Sequence, residues 1–150
     1  DFQKCDLYEQ GSEIFVPELE NTIDVSFTSP PYFNLEKYSD DESESTKNYD
    51  NYDLWIQNFA KPTILNTYRY LKVGGYAMIN IKNMKNKKKI PLFDDWMKLF
   101  NEIDGFEFVE VFDMEQTSKK VVGKYANYSG KLDENYNQAK EPIMAFRKIK

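Results

Sequence analysis

The side chains of this sequence that could do chemistry together lie in one short segment, Ser29-Pro30-Pro31-Tyr32. A serine hydroxyl and a proline carbonyl are hydrogen-bond acceptors, and a tyrosine ring is a flat surface on which another ring can stack. The amine of a nucleobase is a poor nucleophile because its lone pair is delocalised into the ring, and fixed acceptors for its N–H protons would help it to react. The segment therefore suits an amine on a base that has been lifted from its stack.

The element that must position this segment is predicted immediately before it. Ile23, Val25 and Phe27 alternate with other residues, which predicts a short buried strand. Pro30 cannot donate to a sheet and disfavours a helical residue before it, so a rigid extended loop should follow the strand. In an alternative interpretation, Tyr32 has only a structural role and covers the end of the sheet.

Composition limits the chemistry that is possible. With 150 residues, of which 41% are hydrophobic, the chain can form one domain with a real core. It has no histidine and a single cysteine, Cys5, which excludes an internal disulfide, a zinc site and a histidine-based triad from within the chain. No apolar run is long enough to span a membrane, so a cytoplasmic protein is expected. The net charge of −5 is unfavourable for DNA binding unless local patches or another segment supply positive charge.

Helices and strands alternate in the rest of the chain. The predicted elements are helices at 52–71 and 91–103 and strands at 76–81, 106–112 and 141–148. Pro62 should kink or split the first helix, and Gly74-Gly75 should end it. This alternation predicts a largely parallel sheet covered by helices.

Three polar segments separate these elements. Residues 36–51 are acidic and predict a long mobile loop. Residues 82–89 contain five lysines, which form either a solvated loop or a contact with phosphates. In residues 113–140 lysines alternate with tyrosines, as in an irregular surface loop or in a segment that tracks a nucleic-acid strand.

Three motifs in this chain resemble those of one enzyme family. Thr28-Ser29-Pro30-Pro31-Tyr32 resembles the catalytic motif, Ser/Asn/Asp-Pro-Pro-Tyr/Phe, of the S-adenosylmethionine-dependent amino-methyltransferases, the N4-cytosine and N6-adenine DNA methylases. Leu71-Lys72-Val73-Gly74-Gly75 before a strand, and the strand from Glu141 to Lys148, resemble later segments of the same family. The resemblance covers most of the chain. It implies an α/β, Rossmann-like class I methyltransferase sheet, mostly parallel, with an antiparallel C-terminal strand and helices on its faces.

The resemblance also implies roles for individual residues. Ser29 and the Pro30 carbonyl would accept hydrogen bonds from the target amine, and Tyr32 would stack on the flipped base. The implied residues are, for catalysis, Ser29, Pro30, Pro31 and Tyr32; for the cofactor S-adenosylmethionine, Thr28, Ser12 and Gly11; and for nucleic acid, Phe33, Lys85, Lys87 and Lys88. The family often has aspartate where Ser12 stands, and Gly11 is better explained as an ordinary turn glycine. No metal is expected.

One departure from the family pattern concerns the cofactor. The chain lacks the glycine-rich Phe-x-Gly-x-Gly loop that binds S-adenosylmethionine, and it does not begin with methionine. We therefore expect residues 1–150 to be a single domain, the catalytic half of a DNA methylase that is inactive alone, with its other half before residue 1 or after residue 150. Expected partners are DNA, that missing half, and a second copy bound through the exposed edge of the Ile23 strand.

Several alternatives stay open at the level of the sequence. The chain could belong to an RNA or protein-amide methyltransferase, or it could be an inert interaction domain that a partner chain completes. The target base, cytosine or adenine, and membership of a restriction-modification system are not determined by these residues.

Overall fold

Four strands form one mixed sheet in the order β1-β2-β4-β3. The structure is a computed structural model that describes residues 5–33, 49, 51–84, 90–115 and 140–150. The strands are β1 (Ile23–Thr28), β2 (Leu71–Asn80), β3 (Phe106–Glu115) and β4 (Lys140–Lys148). β1 is parallel to β2, whereas β4 runs antiparallel to both of its neighbours, β2 and β3. Three strands therefore share one direction and the C-terminal strand opposes them, which confirms the predicted fold class.

Helices connect β1 to β2 and β2 to β3. Within the described residues, the helical elements are a 3-10 turn (Pro17–Leu19), α1 (Tyr52–Trp55), a π-helical segment (Ile56–Ala60), α2 (Lys61–Tyr70) and α3 (Leu92–Asn101). The Asn51 side chain caps α1 by accepting the Leu54 N–H at 2.9 Å. In the part of the chain that the structure describes, no helix has the length and apolar character needed to cross a membrane.

Pro62 accounts for the irregular winding between α1 and α2. It has no N–H to donate to the carbonyl of Asn58, four residues earlier. The Tyr49 hydroxyl donates to that carbonyl instead, at 3.2 Å. The π-helical segment lies immediately before α2, where a single turn of wider winding is tolerated. The predicted interruption at Pro62 is confirmed as a change of helical winding.

The main hydrophobic core lies between the helices and one face of the sheet. The buried residues that form it include Trp55, Ile64, Trp96 and Phe100 from the helical segments and Ala77, Ile79, Met144 and Phe146 from the strands. Phe100 stacks on Phe146 with ring centroids 4.5 Å apart. The helices therefore contribute apolar side chains to this face of the sheet, as amphipathic helices do.

The opposite face of the sheet is uncovered at β1. Val25 is 55% exposed and Phe27 is 59% exposed, and Tyr76, the β2 partner of Val25, is 38% exposed. The prediction of a buried β1 strand is therefore wrong for Val25 and Phe27. Alternation identifies which residues share a face, but it does not show whether this chain covers that face. β1 is also an edge strand of the sheet formed by the described residues.

The glycine pair lies inside a strand and not at a helix end, so the predicted helix end at Gly74-Gly75 is wrong. The register between β1 and β2 shifts between Ile23 and Val25, which leaves extra residues of β2 in a bulge. Gly74 has a φ of 91°, which favours glycine. A Cβ on Gly75 would stand 2.9 Å from the carbonyl oxygen of Asp24. The glycines thus allow β2 to bulge and still approach β1 closely.

Candidate active site

The Ser29–Tyr32 segment begins where β1 ends, beside the end of β2. Thr28 is the last residue of β1 and pairs with Ile79 of β2 in a parallel register. Residues that follow the two strands therefore emerge at the same edge of the sheet. In open α/β sheets, ligands bind outside the carboxyl ends of the strands. The structure thus places the predicted segment at an edge suited to a ligand site.

Burial changes sharply along this segment. Ser29 is exposed, Pro30 is buried, and Pro31 is half-buried. The two prolines restrict the backbone, and the buried ring of Pro30 anchors the loop against the protein. The Ser29 hydroxyl is consequently presented to solvent from a backbone with little freedom.

Tyr32 is held in place through its hydroxyl group. The Tyr32 Oη accepts the backbone N–H of Lys82 at 2.9 Å, just beyond the end of β2. The ring is half-buried and packs against the core. The Lys82 Nζ in turn forms an ion pair with Glu141 of β4 at 2.8 Å. The aromatic ring is therefore fixed to the same sheet edge, and part of it remains accessible.

Phe33 belongs to the core and not to the surface. It is 3% exposed and contacts Tyr52 and Trp55, with ring centroids 5.5 and 6.0 Å away. The Tyr52 hydroxyl donates to Asp95 Oδ2 at 2.7 Å. The pKa of Tyr52 is raised chiefly by burial and further by this hydrogen bond. A contact of Phe33 with nucleic acid, as predicted, does not fit this burial. Phe33 instead packs the end of the Ser29–Tyr32 segment against the helices.

Asn80 lies at the same edge and was not singled out from the sequence. It is the last residue of β2, it is 7% exposed, and its Nδ2 has no hydrogen-bond partner among the described residues. The signal available in the sequence was a polar residue between two apolar ones, Ile79 and Ile81.

The predicted cofactor residues occupy two separate elements. Thr28 is half-buried at the end of β1. The Ser12 Oγ lies 3.0 Å from Thr63 Oγ1, and Asn66 Nδ2 donates to the Ser12 carbonyl at 3.0 Å, so this turn is attached to α2. The Gly11 carbonyl accepts the N–H of Ile14 at 3.0 Å, as in a turn. Cofactor contacts at Thr28, Ser12 and Gly11 stay predictions.

The predicted phosphate contacts, Lys85, Lys87 and Lys88, lie outside the described residues. The same is true of most of the polar segments 36–51 and 113–140. Within the described ranges, no group of three or more histidine, cysteine, aspartate or glutamate side chains could hold a metal ion.

The arrangement of strands and helices is that of one half of a class I methyltransferase. TTHA0409 of Thermus thermophilus, assigned as a DNA modification methylase, aligns with a TM-score of 0.59 and 16% identity over 94% of this chain and 51% of its own. Its complex with S-adenosyl-L-methionine gives a TM-score of 0.59 and 15% identity over 94% of this chain and 54% of its own. The chain therefore spans about half the length of this protein.

The sequence match is more specific than the structural one. The family model for DNA methylases matches residues 23–150, from the start of β1 to the end of the chain. The chain belongs to the DNA methylase family. No curated protein matches it.

Proposed function

We propose that this chain is the catalytic half of an S-adenosylmethionine-dependent DNA methyltransferase that acts on the exocyclic amine of cytosine (N4) or adenine (N6). The observation that carries the proposal is the position of Ser29–Tyr32 at the shared carboxyl edge of β1 and β2, with an exposed hydroxyl and a fixed ring. Membership of the DNA methylase family supports this activity. The S-adenosyl-L-methionine complex of TTHA0409 supports the cofactor.

The segment would prepare the amine for methyl transfer. Ser29 Oγ and the Pro30 carbonyl accept hydrogen bonds from the two N–H groups of the amine, which orients the nitrogen and increases its electron density. S-adenosylmethionine, when bound, supplies a methyl group on a positively charged sulfur. The amine nitrogen would take the methyl group directly as the methyl–sulfur bond breaks. The sulfur would keep the electron pair of that bond as a neutral thioether, and the methylated amine would lose one proton to solvent. No covalent bond to the enzyme is needed, in keeping with a chain that contains no histidine and a single cysteine.

Tyr32 would hold the flipped base in position. A base removed from the duplex loses its stacking neighbours, and an aromatic side chain restores part of that contact. Because the Tyr32 hydroxyl is hydrogen-bonded to the Lys82 N–H, the ring has a defined orientation before the base arrives. Less ordering is then required on binding.

The cofactor site would be completed by a second half-domain. Residues 1–150 lack a glycine-rich loop. Among the candidate residues, Thr28 stands directly before Ser29, while the Ser12 hydroxyl already has a partner in Thr63. The uncovered face and free-standing edge of β1 offer a place for further strands and helices of the same domain. We assign the missing cofactor-binding half to this side of the sheet.

The test is transfer of a tritiated methyl group to DNA by the full-length protein that carries these residues. Ser29→Ala should lower kcat/KM about ten- to a hundredfold, the value of one strong hydrogen bond. Tyr32→Ala should lower it similarly, whereas Tyr32→Phe keeps the ring and should retain most of the activity. Calorimetric titration with S-adenosylmethionine should give the same affinity for all three variants and the parent protein.

The outcomes separate the proposal from its alternatives. Full activity in both Ser29→Ala and Tyr32→Ala would contradict the catalytic roles proposed for Ser29 and Tyr32. Transfer of the label to RNA or to protein, and not to DNA, would show that DNA is not the substrate. No label in any acceptor, together with tight association to a partner chain, would identify an interaction domain.

A further inference from the structure

A buried amide without a partner lies beside the catalytic segment. Thr28 of β1 pairs with Ile79 of β2, and the residues that follow them are Ser29 and Asn80. Asn80 is 7% exposed, and its Nδ2 makes no hydrogen bond among the described residues. Neighbouring strands are about 4.8 Å apart, so the side chain of Asn80 lies within reach of a group bound at Ser29.

The fold gives no reason for an amide at this position. Buried polar groups are nearly always paired, since an unpaired donor has lost its bond to water without replacement. Among the described residues, three other buried atoms are also unpaired: Glu13 Oε2, on a half-buried residue, and the indole nitrogens of Trp55 and Trp96. Each indole belongs to a large ring whose apolar burial compensates the loss. Asn80 has no such ring, and its neighbours along the strand are Ile79 and Ile81. An aliphatic residue would suit the fold better.

We propose that Asn80 is a base-binding residue whose amide donates to the ring nitrogen next to the target amine. This inference rests on the proposed function. Cytosine N3 and adenine N1 are acceptors that lie directly beside the exocyclic amine. Acceptors at Ser29 and Pro30 with a donor at Asn80 would match this edge of either base and would leave none of these groups unpaired. Entry of the base must displace the atoms that now cover the amide.

The first experiment measures stability on the chain itself. Urea denaturation should show that Asn80→Leu has a midpoint equal to or higher than that of the parent chain, because the substitution removes an unpaired donor. Asn66→Leu is the matched control: Asn66 is equally buried, but its Nδ2 donates to the Ser12 carbonyl, so its loss should lower the midpoint. A drop for Asn80→Leu as large as that for Asn66→Leu would assign Asn80 to the fold and overturn the proposal.

The second experiment pairs the residue with the substrate atom. The full-length protein is assayed on its DNA substrate and on the same DNA with 3-deazacytosine or 1-deazaadenine in place of the target base. These analogues lack the acceptor nitrogen, N3 of cytosine or N1 of adenine. Removal of the Asn80 amide, or of the ring nitrogen of the base, should lower kcat/KM about tenfold or more. Removal of both together should lower kcat/KM no further than removal of one. Losses that multiply, or an Asn80→Leu protein with unchanged kcat/KM, would overturn the proposal.

Failure of this inference differs from failure of the proposed function. A protein that transfers no label to DNA contradicts the methyltransferase assignment, whatever residue 80 is. Label transfer that depends on Ser29 but not on Asn80 contradicts only the role of Asn80.

Discussion

At the scale of single residues, Tyr52 links α1 to α3 next to the Ser29–Tyr32 segment. Its hydroxyl donates to Asp95 Oδ2 on α3 at 2.7 Å, and its ring contacts Phe33, which follows the segment. Burial, and then the bond to Asp95, raises the pKa of Tyr52 above its ordinary value. A group whose pKa is raised on folding stabilises the fold below its unfolded pKa, here about 10, and that contribution is lost as the pH rises further.

Tyr52→Phe should therefore change both stability and its pH dependence. At neutral pH the variant should be less stable by about 1 kcal/mol, because the bond to Asp95 is lost. Above about pH 10 the difference in free energy of unfolding between the two proteins should narrow, since only the parent chain must keep the half-buried Tyr52 hydroxyl protonated. Urea denaturation of both proteins at neutral and alkaline pH measures this. Lys148, whose pKa burial lowers, changes stability in the opposite sense but is present in both proteins. A difference in free energy of unfolding that stays constant with pH would show that Tyr52 does not have a raised pKa in the folded chain.

Residues of the site differed in how far the sequence could predict them. Ser29–Tyr32 was predictable because its residue types and order are themselves the signal. The placement of Asn80 beside Ser29 depends on the register between β1 and β2, and the anchor of Tyr32 is a backbone N–H. Neither feature can be inferred from residue types, so both required the folded chain.

At the scale of elements, the bulge in β2 sets the alignment of the two strands that carry the site. Between Ile23 and Val25 the register shifts, and from Val25 to Thr28 the pairing with β2 is regular. Gly74 lies in the bulge with a φ of 91°. The sequence indicated a break here, but a glycine pair is compatible with a helix end and with a bulge. Only the pairing with β1 distinguishes the two.

Gly74→Ala should cost about 1–2 kcal/mol, the penalty for a side chain at positive φ. The space around this position is open, with Arg147 Nη2 the nearest atom at 3.8 Å from an added Cβ, so the cost comes from the backbone alone. Val73→Ala, at the exposed neighbouring residue, should change stability by less than about 0.5 kcal/mol. Urea midpoints of the two variants measure the difference, and equal values would show that the bulge tolerates a side chain.

At the scale of the whole molecule, the helices cover one face of the sheet and leave the other open at β1. The sequence predicted the alternation of β1 and the order of strands and helices, because both are local patterns. It could not predict exposure of Val25 and Phe27, because burial depends on a second layer that these residues do not encode.

An apolar face next to an unpaired strand edge favours association with another chain. The chain alone should therefore dimerise with rising concentration, which sedimentation equilibrium measures. Phe27→Lys places a charge on the open face and should weaken the dimer at least tenfold; Leu65→Lys makes the same change on an exposed position of α2 and should not. Equal weakening by both would indicate a general charge effect. A chain that stays monomeric at all concentrations would show that β1 does not pair with another copy of this chain.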